Sequence, residues 1–202
     1  MAAVADKIIN RVRGKGRGWA FTPKDFLDLG TRASVDMSLT RLVQAGHIRR
    51  IGRGLYDYPK LHERLGALTP DADAIAQAVA KQSDNKVVLS GAQAANRLGI
   101  STQVPAKSSY ATSGATRVKN VAGRTIVFKR SHAPILDNGS DNANAVLQIL
   151  MHFGKASVDD DLIRRLAARI DDRDLKALKQ AQSLMPGWMS DAVFKIGMVP
   201  HG

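Results

Sequence analysis

TRASVDMSLTRLVQAGHIRRIGRGLYDYP, residues 31–59, is the stretch whose reading decides the fold. Thr31 is placed to cap a helix, because its hydroxyl can accept a free N–H of the first turn. Val35, Leu39, Leu42 and Val43 recur at helical spacing and form one apolar stripe. Arg32, Ser34, Asp36, Thr40, Arg41 and Gln44 fall on the other side. Gly46 stops the helix. His47 to Ile51 reads as a strand, Gly52-Arg53-Gly54 as a turn, and Leu55 to Tyr58 as the returning strand. Pro59 ends the pairing.

A polar helix with a basic tip, followed by an arginine-rich hairpin, is a winged helix-turn-helix arrangement. Its helix suits a major groove and its wing lies along phosphates. Upstream, Val4, Ile8, Ile9 and Val12 give a first amphipathic helix over residues 4–12, followed by a basic glycine-rich segment, RGKGRG. That segment lacks the spacing of a phosphate-binding loop and reads as a mobile basic arm or a plain linker. Trp19-Ala20-Phe21 is a candidate extra strand against the hairpin. Thr22-Pro23 opens a helix over residues 23–29.

The chain has 202 residues, enough for two small domains. The expected division is a winged helix-turn-helix over residues 1–60 and a mixed α/β domain over residues 61–202. The second domain should hold a small sheet and C-terminal helices, giving an α+β chain. Helices are expected at residues 70–82, 91–98, 142–153, 159–170, 172–184 and about 188–196. Strands are expected at 86–89 and near 107–112, 116–119 and 124–129. Residues 60–68 read as linker. No cysteine is present, which removes disulfides and thiol chemistry. No run approaches the roughly 20 apolar residues of a membrane span. The N-terminus lacks the apolar core of a signal peptide, so a soluble cytoplasmic protein with no membrane partner is expected.

The net charge is +12, and it is uneven. Residues 1–60 carry +7 and residues 104–132 carry +6, while the remainder is close to neutral. Two separate basic blocks suggest two anionic surfaces to meet, or one long one. In the first block the DNA-contact candidates are Arg32, Ser34, Ser38, Arg41, Arg49, Arg50 and Arg53. Arg32, at the helix start, suits a base edge, and Arg41 suits a phosphate. Asp36 either accepts from a cytosine amine or pairs with Arg32 or Arg41. Strand alternation sends Arg49 and Arg50 to opposite faces, so one of them faces solvent or the protein. Arg53, between two glycines, suits a phosphate or minor-groove contact.

The second block holds Lys107, Arg117, Lys119, Arg124, Lys129 and Arg130 with no acidic neighbour. It reads either as solvated strands or as a flat basic platform for nucleic acid or an acidic protein surface. Chemistry of other kinds has little support. The five histidines lack metal-ligand spacing, Asp71 and Asp73 suit a helix start, and so do Asp159, Asp160 and Asp161. No catalytic residue, metal or cofactor is expected.

LTRLVQAGHIRRIGRGLYDYPK (residues 39–60) resembles the N-terminal segment of AbiEi-type antitoxins and of a related group known only as a domain of unknown function. SGAQAANRLGISTQVPAKSSYATSG (residues 90–114) and GRTIVFKRS (residues 123–131) resemble that group's second domain. The likeness spans roughly residues 1–150. It implies a bacterial toxin–antitoxin or abortive-infection module. By that resemblance the first domain binds and represses its own promoter. The second antagonises a nucleotidyltransferase-like toxin, with or without a stable complex. A stand-alone transcriptional regulator and an RNA-binding protein are the competing readings.

Overall fold

The computed structural model describes residues 3–137 and 139–199. The chain is α+β, with small antiparallel sheets and a helical C-terminal part. It divides into two compact units. One comprises Met1–Asn85 with Lys119–Ile126, the other Lys86–Val118 with Val127–Gly202.

In the first unit, helix α1 (Val4–Lys15) buries Ile8, Ile9 and Val12. Strand β1 (Ala20–Phe21) follows, and then a short 3-10 helix, Pro23–Phe26. The expected helix over residues 23–29 is therefore a single tight turn. Its Asp25 carboxylate accepts from the Thr22 backbone N–H and hydroxyl at 2.8 and 3.1 Å, which closes the turn at once. Helix α2 (Arg32–Gln44) starts where Thr31 Oγ1 accepts from Ser34 N–H. It ends in a Schellman motif. Gly46 N–H donates to Val43 O and His47 N–H to Leu42 O, with Gly46 at φ +71°.

Strands β2 (Arg49–Gly52) and β3 (Leu55–Asp57) form an antiparallel hairpin. β1 pairs with the other edge of β3, giving the order β1-β3-β2. The Trp19–Phe21 segment thus adds a strand as expected. Phe21, Phe26, Val35, Leu39, Leu42, Ile48 and Tyr56 close one core with the α1 side chains. The Phe21 ring packs edge-on to Phe26 at 5.4 Å, a favoured quadrupole geometry.

The unit does not end at residue 60. Strands β4 (Leu61–His62) and β5 (Gly66–Ala67) make a small hairpin where a linker was expected. Helix α3 (Ala72–Gln82) then packs on β1. Arg49 donates to the carbonyls of Ala67 and Leu68, Gln82 donates to Arg53 O at 2.7 Å, and Lys81 pairs with Asp25. These ties place the break after Asn85.

The second unit holds β6 (Val87–Leu89), α4 (Gly91–Arg97) and β7 (Ser108–Thr112), with the Arg117–Val118 end of β8 (Arg117–Val121) and the Val127–Arg130 end of β9 (Arg124–Arg130); the Lys119–Ile126 stretch that joins them belongs to the first unit. These strands have the order β6-β7-β9-β8. Helices α5 (Asp141–Phe153), α6 (Asp160–Ala167), α7 (Asp172–Gln180) and α8 (Gly187–Met198) follow. Asp159 caps α6 by accepting from Leu162 N–H at 2.8 Å, so the acidic triple serves a helix start. α5 is buried nearly all round, and Val146, Leu147, Ile149 and Leu150 centre the core. Among the described residues no helix is long and apolar enough to cross a membrane.

Candidate nucleic-acid interface

Helix α2 turns Val35, Ser38, Leu39 and Leu42 inward. The periodicity then leaves Ala33, Met37, Thr40 and Gln44 as one exposed stripe, flanked by Arg32 and Arg41. Ser38 departs from expectation. It is 7% exposed, and its hydroxyl donates to Ser34 O at 2.8 Å. A serine satisfied by its own helix behaves as a core residue and has no hydroxyl proton to offer a ligand. Ser34 is half-buried and its hydroxyl donates to Thr31 O, so it serves the helix start.

Arg32 donates to Asp36 at 2.8 Å, and both side chains are largely exposed. Such an i,i+4 pair is worth only about 0.3–0.5 kcal/mol, so it orients Arg32 without locking it. Met37 is the residue the sequence reading passed over. It is an apolar side chain 57% exposed in the middle of the outward stripe. Its position outside the Val35-Leu39-Leu42 stripe was the available signal.

The hairpin divides its arginines sharply. Arg49 Nε and Nη2 donate to the two carboxylate oxygens of Asp57 at 3.0 and 2.7 Å, and Asp57 is 0% exposed. The hydrogen bond to Asp57 holds the guanidinium above the usual arginine range, against desolvation that acts the other way. Arg49 is therefore the inward member of the pair and braces the sheet; its place among the DNA contacts is not kept. Arg50 and Arg53 are exposed. Among the described residues Arg41, Arg50 and Arg53 form no ion pair. Gly54, at φ +64°, gives the two-residue turn the left-handed backbone that puts Arg53 at its tip.

RGKGRG is not a loose arm. α1 runs through Lys15, and Gly18 N–H donates to Tyr58 O. Arg17 donates to Pro59 O at 2.9 Å and lies over the Tyr58 ring at 4.7 Å. Arg11 grips Asp28 with both Nη atoms at 2.7 and 2.6 Å. That hydrogen-bonded contact raises Arg11 and lowers Asp28 from their ordinary values.

The second basic block is not one surface. Alternation along β9 puts Ile126 and Phe128 on the face that is buried, with Arg124 and Arg130, and turns Lys129 the other way with Val127. Arg117 is half-buried with its guanidinium over the Phe128 ring at 5.3 Å. Lys107 is exposed ahead of β7. Lys119 and Arg124 fall in the first compact unit, and the other four residues in the second. The cations of β9 therefore do not share one strand face.

A family described as DUF6088, a family of unknown function, matches residues 7–178. The chain belongs to this family. The DUF6088 match includes α2, the β2–β3 hairpin and the strands of the second unit. No curated protein matches. Among solved structures, the RV2827C protein from Mycobacterium tuberculosis is similar at 16% identity and a TM-score of 0.43. That alignment covers 99% of this DUF6088 chain and 79% of the other.

Proposed function

We propose that this chain is a DNA-binding transcriptional repressor whose N-terminal unit acts as a winged helix-turn-helix. α2 is the reading helix and the β2–β3 hairpin is the wing. One observation carries the reading: α2's exposed stripe, flanked by Arg32 and Arg41, is followed by a hairpin whose Arg50 and Arg53 form no ion pair among the described residues. Phosphate contacts need free cations, and base readout needs an exposed helix face with donors and an apolar spot. Arg32 reads a guanine edge, Met37 meets a thymine methyl, and Arg41, Arg50 and Arg53 hold phosphates. Arg49 keeps the wing straight.

Fluorescence anisotropy of the full chain on a duplex from its own promoter tests this against an unrelated duplex. Specific binding should exceed non-specific binding at least about 10³-fold. Equal affinity for both duplexes would remove the repressor reading.

We further propose, from the resemblance to AbiEi-type antitoxins, that the second compact unit neutralises a nucleotidyltransferase-like toxin. A full chain carrying R50A and R53A should lose repression and still protect toxin-expressing cells. Loss of both together would tie protection to DNA binding.

A further inference from the structure

We infer that the second compact unit holds a cleft for a phosphate group, a ligand site independent of the DNA reading. Alternation along β7 puts Tyr110 on one face and Ser109 and Ala111 on the other. The Tyr110 and Phe128 rings lie 6.1 Å apart, so these two residues share a face across the neighbouring strands. Ser109, Ala111, Lys129 and Ser131 therefore share the opposite face. The start of α4 and the last turns of α5 border that face through Ser90, Gly91, Gln148 and His152, enclosing about 210 Å³.

The lining chemistry is one-sided. Lys129, Arg130, His132 and His152 border the cleft and no carboxylate does. All four are exposed, and among the described residues Lys129 makes neither an ion pair nor a side-chain hydrogen bond. Alternation turns Arg130 toward the face of Phe128, so Lys129 is the cation that the strand directs inward. The Ser90 and Ser109 hydroxyls stand 2.6 Å apart. One donates to the other, which leaves the second O–H free for a ligand.

Gly91 is packed so closely that a Cβ there would run into the Gln148 carbonyl oxygen and the His152 Cβ. That approach brings the first turn of α4 against α5 and sets the cleft floor. Ammonium, imidazole and hydroxyl donors from β7, β9, α5 and the Ser90 junction suit a ligand with several acceptor oxygens and full negative charge, which a phosphate has. The volume is below the roughly 300–1,000 Å³ of pockets that enclose whole drug-sized ligands. It fits one phosphate group, free or at the end of a small ester.

The test is a titration of the full-length, ¹⁵N-labelled protein followed by amide chemical shifts at fixed ionic strength. The two probes are inorganic phosphate and adenosine 5′-monophosphate. The Ser90, Gly91, Ser109 and Ser131 amides should shift and saturate. K129Q should raise Kd about tenfold, the loss of one charge-assisted contact. Tighter binding of the nucleotide assigns a phosphomonoester, and equal binding assigns phosphate alone. Should K129Q disturb the spectrum elsewhere, H152Q provides the second variant and should raise Kd at least twofold. Shifts that rise linearly with concentration, or a folded K129Q variant with unchanged Kd, would overturn the site. R53A should leave this binding untouched, so failure here and failure of DNA binding are read separately.

Discussion

The chain has two basic hairpins, β2–β3 and β8–β9, and they use their charge differently. In β2–β3 one arginine is spent on structure: Arg49 is held by buried Asp57, while Arg50, which donates to Gly52 O at 3.3 Å, and Arg53 are exposed and form no ion pair among the described residues. In β8–β9 the cations alternate between the two faces, and Arg117 lies over Phe128. Lys and Arg are about equally frequent along both blocks. What differs is whether a buried acid takes one cation out and leaves the rest on one exposed tip.

The strongest way to break the comparison is R49A. It leaves the buried Asp57 carboxylate without its two hydrogen bonds. Stability should fall by about 2–3 kcal/mol, less than the full cost of splitting a buried pair because Arg49 itself is partly exposed. Urea titration followed by circular dichroism measures this. R53A in the same assay should stay within about 0.5 kcal/mol of the parent chain. Equal losses in the two variants would erase the distinction between bracing and free arginines.

Base discrimination sharpens the first hairpin's side of the contrast. R32A should flatten preferences among promoter variants by about 1–3 kcal/mol while lowering affinity for unrelated duplexes only slightly. A competition series over single base-pair changes would show this. A uniform loss at every sequence would make Arg32 a phosphate contact instead.

The second hairpin's turn offers a smaller effect. Ala122 sits at φ +49°, ahead of Gly123 at φ +77°, in the left-handed region that a type I′ turn requires. Relief of that strain should outweigh the extra chain entropy of glycine, so A122G should stabilise by about 0.5 kcal/mol. A lower thermal midpoint would contradict it.

The smallest effect is acid stability. Asp28 is held below its ordinary value chiefly by its hydrogen bond from Arg11. A carboxyl lowered on folding adds stability above its unfolded pKa and loses it as pH falls through the folded one. D28N should therefore lower the thermal midpoint slightly near neutrality, and its gap to the parent chain should close as pH falls below about 4. A midpoint identical to the parent's at every pH would show that this pair adds nothing.

Much of this was legible in the sequence because it is local. The Val35-Leu39-Leu42 period, the Thr31 cap and Gly46 fix α2 without help from the rest of the chain. Trp19–Phe21 was readable as a strand because a short apolar run faced an obvious hairpin. What escaped depends on partners remote in sequence. Alternation separates Arg49 from Arg50, but only Asp57 and the carbonyls of Ala67 and Leu68 decide which turns inward. The same contacts extend the first unit past residue 60. Ser38 reads as a polar contact candidate because the bond within its own helix that satisfies its hydroxyl is invisible in the sequence, and Met37, outside the apolar stripe, receives no role there. The cleft between β7, β9 and α5 joins residues from 90 to 152, and no single stretch announces it.

The central claim is that the free arginines of the first hairpin hold DNA phosphates. The most direct measurement is the salt dependence of promoter binding by the full chain and by R50A/R53A, taken as log K against log salt. Each lost phosphate contact should flatten the slope by about 0.9, so the double variant should be shallower by nearly 2 and weaker on every duplex. A slope unchanged from the parent's would contradict the account.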